Sequence, residues 1–209
     1  MENLHKLFEH NRRWAAEMVS LDPEFFKRTE ASQEPHFLFI GCSDSRVPTD
    51  RMTGALPGEM FVHRNIGNQV WSTDLNLISV LAYAINVLDI PHVIVCGHSN
   101  CGALKAALGP SSNGVVDHWL SDIRNTIRWH QNELDEQKDP KSKLAKLAEL
   151  NVQQQVGILS RTPVIQEAWA RGQRPYLHGW VYDIANGLIH NVVESVNSAE
   201  KAAQLLPNN

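Results

Sequence analysis

The sequence predicts an α/β fold with a mostly parallel sheet of four strands, an antiparallel edge strand, flanking helices and an N-terminal helical arm. Three observations support this prediction. Short buried runs alternate with helical stretches, which is typical of a parallel sheet. The pair Asn186-Gly187 precedes the last run and favours a hairpin. The first 20 residues show helical periodicity instead of alternation.

The size and composition of the chain restrict the class of protein. Its 209 residues suit one domain, which we expect to span residues 1–209. The 43% hydrophobic content is enough for a core, while the net charge of -4 without a basic patch argues against nucleic-acid binding. No apolar run is long enough for a membrane span and no secretory signal is visible, so we expect a soluble cytoplasmic protein. Three cysteines, an odd number, favour free thiols or thiolates over a disulfide framework.

The N-terminal segment is predicted to be an amphipathic helix. Residues 1–20 place six apolar side chains near one face: Leu4, Leu7, Phe8, Trp14, Ala15 and Met18. Such a helix packs either on the core of its own chain or on a neighbouring subunit, and the sequence leaves both interpretations open. Residues 1–30 are therefore a helical arm and a candidate dimer contact.

Buried strands are predicted at four short runs that are apolar or β-branched and bounded by Gly, Pro or polar residues. They are residues 37–40, 60–62, 92–96 and 177–182. Residues 188–193 follow the Asn-Gly pair, and we expect this run to be the antiparallel strand at the sheet edge.

Helices are predicted over residues 74–88, 115–130 and 144–156, which show helical spacing of apolar side chains. The third is expected to begin at Asp139-Pro140, where an N-cap residue precedes proline at the first helical position. Residues 131–143 are polar and of mixed charge, and we interpret them as a solvated loop or an exposed helix end.

Two segments that follow predicted strands carry the candidate chemistry. They are residues 41–46 (GCSDSR) and 96–102 (CGHSNCG). In open α/β sheets, sites form beyond the carboxyl ends of strands, so both segments are expected at the same edge of the sheet. Cys42, His98 and Cys101 supply two thiolates and one imidazole, a zinc donor set that leaves a fourth position open.

The surroundings of these donors refine the prediction. A helix over residues 103–108 puts Cys101 at its start, where the macrodipole favours a thiolate. His98-x-x-Cys101 and Asp44-x-Arg46 are each weak signals taken singly, and their joint placement after two strands is what predicts the site. Cys96 lies inside an apolar strand and is interpreted as a small buried hydrophobic residue.

These two segments resemble the β-class carbonic anhydrases, with 55 residues between Cys42 and His98. Further matching stretches are residues 57–65 (PGEMFVHRN) and 178–183 (HGWVYD), so the likeness runs from the N-terminal helix to about Asn191. Leu56 replaces a Gln of plant-like members, which favours the bacterial-type subset. The resemblance implies a zinc ion on Cys42, His98 and Cys101, and a dimer that often pairs into a tetramer.

The resemblance also implies the reaction, in which a carbonate dehydratase, a lyase, hydrates carbon dioxide reversibly to bicarbonate and a proton. Hydroxide on the zinc attacks the carbon, and a dyad of Asp44 and Arg46 lies beside the metal. Paired with Arg46, Asp44 orients the hydroxide; unpaired, it becomes a fourth zinc ligand in a closed resting form. Because two thiolates neutralise the zinc charge, we expect turnover to rise with pH well above neutrality.

One subset of the family closes its site through bicarbonate bound by a Trp, an Arg and a Tyr. Arg64 and Tyr182 match the last two, and Phe39 stands in place of the Trp without its indole N–H. These residues are a candidate bicarbonate regulatory site, with an ion pair as the alternative use of Arg64.

Two other functions remain open at this level. One is hydrolysis of carbon disulfide or carbonyl sulfide on the same scaffold, and the other is a non-catalytic bicarbonate-sensing zinc protein. The presence of both Asp44 and Arg46 argues against the sensor.

Overall fold

The sheet lies at the centre of the fold. The computed structural model describes residues 2–111, 114–172 and 174–205. Its strands are β1 (Phe37–Cys42), β2 (Met60–Asn65), β3 (His92–His98), β4 (Tyr176–Tyr182) and β5 (Ile189–Val196). They lie in the order β2-β1-β3-β4-β5, and only the β4–β5 pair is antiparallel. The predicted fold class is confirmed, including the antiparallel edge strand.

Helices connect and cover these strands. Among the described residues they are α1 (Glu2–Leu21), α2 (Phe25–Ala31), α3 (Thr49–Thr53), α4 (Leu75–Asn86), α5 (Gly102–Leu108), α6 (Val115–Trp119), α7 (Ser121–Trp129), α8 (Gln131–Asp135), α9 (Pro140–Ser160), α10 (Pro163–Ala170) and α11 (Ala199–Ala203). The predicted start of α9 is confirmed, because the Asp139 carboxylate accepts from the backbone N–H groups of Lys141 and Ser142 at 2.9 Å. None of these helices is both long and apolar enough to cross a membrane.

Two predicted segments differ in detail from the structure. The helix expected over residues 115–130 is broken at Leu120, which is fully buried in the core, while the indole of Trp119 donates to the carbonyl of Ile66 at 2.7 Å. The turn at Leu120 separates α6 from α7, while both Trp119 and Leu120 pack against the same core. The segment 131–143 begins with the mostly exposed helix α8, which fits the second of the two interpretations of this segment, although Leu134 packs into the core. Helices α2, α3, α10 and α11 were not predicted, since five to eight residues carry little periodicity.

Helix α9 packs closely on the sheet at two glycines. A Cβ atom on Gly97 would lie 2.8 Å from Val152, and one on Gly179 would lie 2.7 Å from the same side chain. Only glycine permits this approach of helix and strands. The approach brings the polar side chains of α9 close to the loop that follows β2.

The arm extends away from the core. Leu7 and Phe8 on α1 are 64% and 56% exposed. Helix α1 packs against α2, where the rings of Trp14 and Phe26 are in contact. The interpretation that this helix packs on its own core is therefore wrong for the described residues. Packing of residues 1–30 on a second subunit stays a prediction. The single domain over residues 1–209 also stays one, because Met1, residues 112–113, Gln173 and residues 206–209 lie outside the described residues.

Candidate metal centre

Three buried side chains converge where neighbouring strands end. Cys42 is the last residue of β1, His98 is the last residue of β3, and Cys101 occupies the N-cap position of α5. The two sulfur atoms and an imidazole nitrogen all lie within 4.8 Å of one another. Adjacent parallel strands deliver their carboxyl ends to one edge, which is why Cys42 and His98, with 55 residues between them, meet here.

The imidazole of His98 is oriented for a metal. Its Nδ1 lies 2.9 Å from the carbonyl oxygen of Ser99. A carbonyl only accepts, so Nδ1 carries the hydrogen and Nε2 carries the free lone pair. Nε2 is buried without a hydrogen-bond partner among the described residues. A buried unpaired acceptor beside two thiols fits a bound cation.

The two sulfur atoms are coupled electrostatically. The Cys101 hydrogen bond lowers the pKa of Cys42 to about 4, and the N–H of Gly67, 3.4 Å from the sulfur, acts in the same direction. The hydrogen bond to Cys42 and burial raise the pKa of Cys101. The pair therefore favours one thiolate, on Cys42, and one thiol, on Cys101. A divalent cation supplies the charge that makes both thiolates stable.

Asp44 and Arg46 form an ion pair at the edge of the cluster. Oδ2 of Asp44 lies 3.8 Å from Nε2 of His98. Hydrogen bonds from the guanidinium and the backbone N–H of Arg46 hold the pKa of Asp44 well below its usual range. The carboxylate is therefore an acceptor only, beside the Nε2 atom of His98. The structure thus brings the predicted dyad together with the predicted ligands.

The three residues of the candidate regulatory site fall into two groups in the described part of the chain. The guanidinium of Arg64 donates to the carbonyls of Cys42 and Asp44 at 2.9 and 2.8 Å, and so braces the loop that carries them. Phe39 and Tyr182 are buried in a separate apolar cluster on one face of the sheet. Binding of bicarbonate by these residues stays a prediction. The fully buried Cys96 belongs to the same cluster, and burial raises its pKa to about 12.

Sequence reasoning missed a buried polar cluster that supports Cys42. The amides of Gln69 and Asn151 donate to the carbonyl of Gly67 at 2.7 and 3.2 Å, and this glycine donates to the Cys42 sulfur. Gln155 accepts from the backbone N–H of Val70 at 2.7 Å. We call Gln69, Asn151 and Gln155 the Gly67 cluster. The available signal was the run of amide side chains at residues 151–155 in an otherwise apolar stretch of α9.

A groove of about 600 Å³ lies beside the same loop. Ser99 and Asn100 line it, together with side chains of α9 such as Leu144 and Ala148 and residues of the β4–β5 turn. None of the three candidate ligands lines this groove. The groove is therefore separate from the metal cluster, although both share the segment between His98 and Cys101.

Comparisons with known proteins agree on one family. The family model described as carbonic anhydrase matches residues 37–189. The carbonic anhydrase of Emericella nidulans is 43% identical over 193 residues, which cover 92% of this chain and 85% of that protein. The carbonic anhydrase of Pseudomonas aeruginosa is 37% identical over 177 residues, covering 79% and 77%.

Solved structures give the same result. The Coccomyxa β-carbonic anhydrase in complex with acetazolamide superposes with a TM-score of 0.93 at 40% identity, covering 98% of this chain and 93% of that one. A structure from work on two tetrameric β-carbonic anhydrases of Sordaria macrospora has a TM-score of 0.89 at 37% identity, covering 94% and 100%.

Proposed function

The chain belongs to the β-class carbonic anhydrase family, and we propose that it hydrates carbon dioxide at a zinc ion held by Cys42, His98 and Cys101. Its activity is that of a carbonate dehydratase, which interconverts carbon dioxide and bicarbonate. The observation that carries the metal assignment is the buried, unpartnered Nε2 of His98 beside two thiols. Two thiolates and one imidazole are donors that suit zinc and leave one position for the chemistry.

The zinc, when bound, supplies a Lewis acid that acidifies water at the open position. The ionised carboxylate of Asp44 accepts a hydrogen bond from the attacking water and orients its oxygen toward the carbon of carbon dioxide. Arg46 holds that carboxylate and keeps it charged. We propose an open resting form, with Asp44 off the metal, because both carboxylate oxygens already accept hydrogen bonds from Arg46.

Self-association through the arm is part of the proposal. The two Sordaria relatives are tetrameric, and the exposed apolar face of α1 gives this chain a surface that suits a second copy. We propose a dimer with residues 1–30 at its contact, able to pair into a tetramer. A cytoplasmic location stays a prediction.

The other candidate functions receive no support. The relatives and structures named above are all carbonic anhydrases, which favours hydration of carbon dioxide over hydrolysis of carbon disulfide or carbonyl sulfide and over bicarbonate sensing. Bicarbonate regulation through Arg64, Tyr182 and Phe39 is a separate proposal. Inhibition of hydration by high bicarbonate that is lost in Tyr182→Phe would support it, and rates that are independent of bicarbonate would exclude it.

The test is stopped-flow hydration of carbon dioxide with a pH indicator, from about pH 7 to 9, on protein of assayed zinc content. Wild type should hold one zinc per chain and hydrate carbon dioxide faster as the pH rises. Cys42→Ala should lose the zinc, whereas the matched control Cys96→Ala, which changes a buried thiol outside the cluster, should keep it. Full zinc occupancy without hydration, or zinc retained by Cys42→Ala, would overturn the proposal.

A further inference from the structure

We propose that Asp183, in the turn between β4 and β5, is a positioning residue that orients the metal ligand His98 through Ser99. The inference rests on the proposed metal site, and it gives a role to two residues, Ser99 and Asp183, to which the sequence analysis assigned none. Asp183 contacts neither the three donors nor the dyad in any hydrogen bond of the described residues. Its effect is therefore expected on metal binding before any effect on the chemical step.

The first step is the dependence of the imidazole on the Ser99 carbonyl. The Nδ1–H of His98 donates to that carbonyl at 2.9 Å, a contact between adjacent residues. The next residue, Asn100, has a φ of 58°, in the left-handed region that favours glycine. The chain thus turns sharply just after Ser99. A carbonyl in this position needs support from outside the loop to stay aimed at the ring.

The second step is that three consecutive residues of the hairpin supply this support. The Ser99 backbone N–H donates to the carbonyl of Tyr182 at 2.9 Å. The Ser99 hydroxyl donates to Oδ1 of Asp183 at 2.8 Å and accepts from the N–H of Ile184 at 2.9 Å. Both the backbone and the side chain of Ser99 are therefore fixed to residues 182–184.

The third step is that Asp183 is itself held in place. Its Oδ1 also accepts from the backbone N–H of Ala185 at 3.0 Å. Its own N–H donates to the carbonyl of Leu188, and its carbonyl accepts from Gly187, each at 2.8 Å. Because the carboxylate and both backbone groups of Asp183 are hydrogen-bonded, its Oδ1 is a fixed acceptor for the Ser99 hydroxyl. A charged acceptor also makes a stronger hydrogen bond than a neutral one.

The consequence reaches the metal ligand. With the Ser99 carbonyl fixed, His98 keeps its hydrogen on Nδ1 and presents Nε2 to the two sulfur atoms. Partners that orient a ligating histidine typically change metal affinity by about 10- to 100-fold when they are removed. The hairpin turn, 84 residues along the chain from Ser99, thereby contributes to the metal centre.

The experiment compares variants along this path with a control in the same turn. Ser99→Ala removes both hydroxyl hydrogen bonds, Asp183→Ala removes the acceptor, and Asp183→Asn keeps an acceptor oxygen without the charge. Asn186→Ala is the control, because it removes a side-chain acceptor for the N–H of Leu188 and leaves Ser99 untouched. Zinc dissociation constants are measured by competition with a chromophoric chelator. The tautomer of His98 is followed by nitrogen-15 NMR of the zinc-free protein.

We expect Ser99→Ala and Asp183→Ala to weaken zinc binding about 10- to 100-fold, and Asp183→Asn to weaken it less. Asn186→Ala should stay within about twofold of wild type. The NMR signal of a protonated Nδ1 in His98 should weaken in the first two variants and persist in the control. Zinc affinity and tautomer that match wild type in folded Ser99→Ala and Asp183→Asn would overturn the inference, even where Asp183→Ala does not fold.

The two proposals fail in different ways. Wild-type protein that binds no zinc defeats the proposed metal site itself. Wild-type protein that binds zinc and hydrates carbon dioxide, with Ser99→Ala equal to it in zinc affinity, defeats only the role of Asp183.

Discussion

Arg46 holds both carboxylate oxygens of Asp44, with Nε 2.9 Å from Oδ1 and a terminal guanidinium nitrogen 2.7 Å from Oδ2. The same terminal nitrogen donates to the carbonyl of Asn100 at 3.2 Å. Asn100 lies between the candidate ligands His98 and Cys101. The dyad and the metal loop are therefore joined by hydrogen bonds, and a change in one is expected to alter the other.

Replacing Arg46 tests what keeps Asp44 in place. Arg46→Ala removes the competing cation, so we expect Asp44 to move toward the metal and the hydration rate to fall about 100-fold through lost positioning. Arg46→Lys keeps the charge without the bidentate geometry, so its hydration rate should lie between those of wild type and Arg46→Ala. Zinc-edge X-ray absorption and stopped-flow hydration measure the two effects. An unchanged zinc coordination shell in Arg46→Ala would count against the shift of Asp44.

The contact between α9 and the sheet predicts a steric effect at Gly179. In Gly179→Ala the new Cβ would lie 2.7 Å from Val152 and 2.8 Å from Val193. We expect a loss of about 1–3 kcal/mol in the free energy of unfolding, measured by denaturant titration. Gly102→Ala is the control, because nothing lies within 4 Å of its Cβ position. Equal stability of the two variants would contradict the close packing.

The Gly67 cluster predicts that replacing one of its buried polar side chains by an apolar one lowers the free energy of unfolding. In Gln155→Leu, the N–H of Val70 and the carboxylate of Asp122 each lose a partner, at 2.7 and 3.0 Å in wild type. We expect the free energy of unfolding to fall by about 1–3 kcal/mol for the buried N–H of Val70 left unpaired, and less for the half-buried Asp122. Gln154→Leu, at a buried position outside the cluster, should be close to neutral in the same denaturant titration. A Gln155→Leu protein as stable as the control would refute this account.

A histidine pair predicts how stability depends on pH. Burial lowers the pKa of both His92 and His178, whose ring nitrogens lie 3.0 Å apart. Below about pH 6.5 the unfolded chain therefore binds more protons than the folded one at these sites, so stability decreases as the pH falls through that value. His178→Gln should make this decrease shallower in urea titrations at pH 7.5 and 5.5. The exposed control His10→Gln should show the same pH dependence as wild type. If both variants lose stability equally between pH 7.5 and 5.5, the histidine pair is excluded as the cause of the decrease.

The exposed face of α1 predicts the effect of charge on assembly. Leu7→Glu combined with Phe8→Glu should shift the protein toward smaller species in sedimentation velocity, because a charge in an apolar contact loses its solvation. Arg13→Glu changes the charge of an exposed position on the other side of the helix and is the matched control. An unchanged sedimentation profile of the double variant would place the contact elsewhere.

Local patterns in the sequence were enough to predict much of this molecule. Strand positions followed from short apolar runs, the start of α9 from Asp139-Pro140, and the edge hairpin from Asn186-Gly187. The two segments after β1 and β3 identified the three donors, because the chemistry of thiolates and imidazole is a property of the residues themselves. These features depend on neighbours in the chain, which a sequence displays directly.

Only the tertiary structure decided the rest. The break at Leu120 depends on what each side chain meets in space, and the brace from Arg64 depends on the pairing of β1 with β2. The link from Asp183 to His98 runs through a hydrogen bond between Ser99 and Asp183, which lie 84 residues apart in sequence. Such contacts follow from the packing of strands and helices, so the sequence specified the candidate metal ligands, while the fold determined what holds them in position.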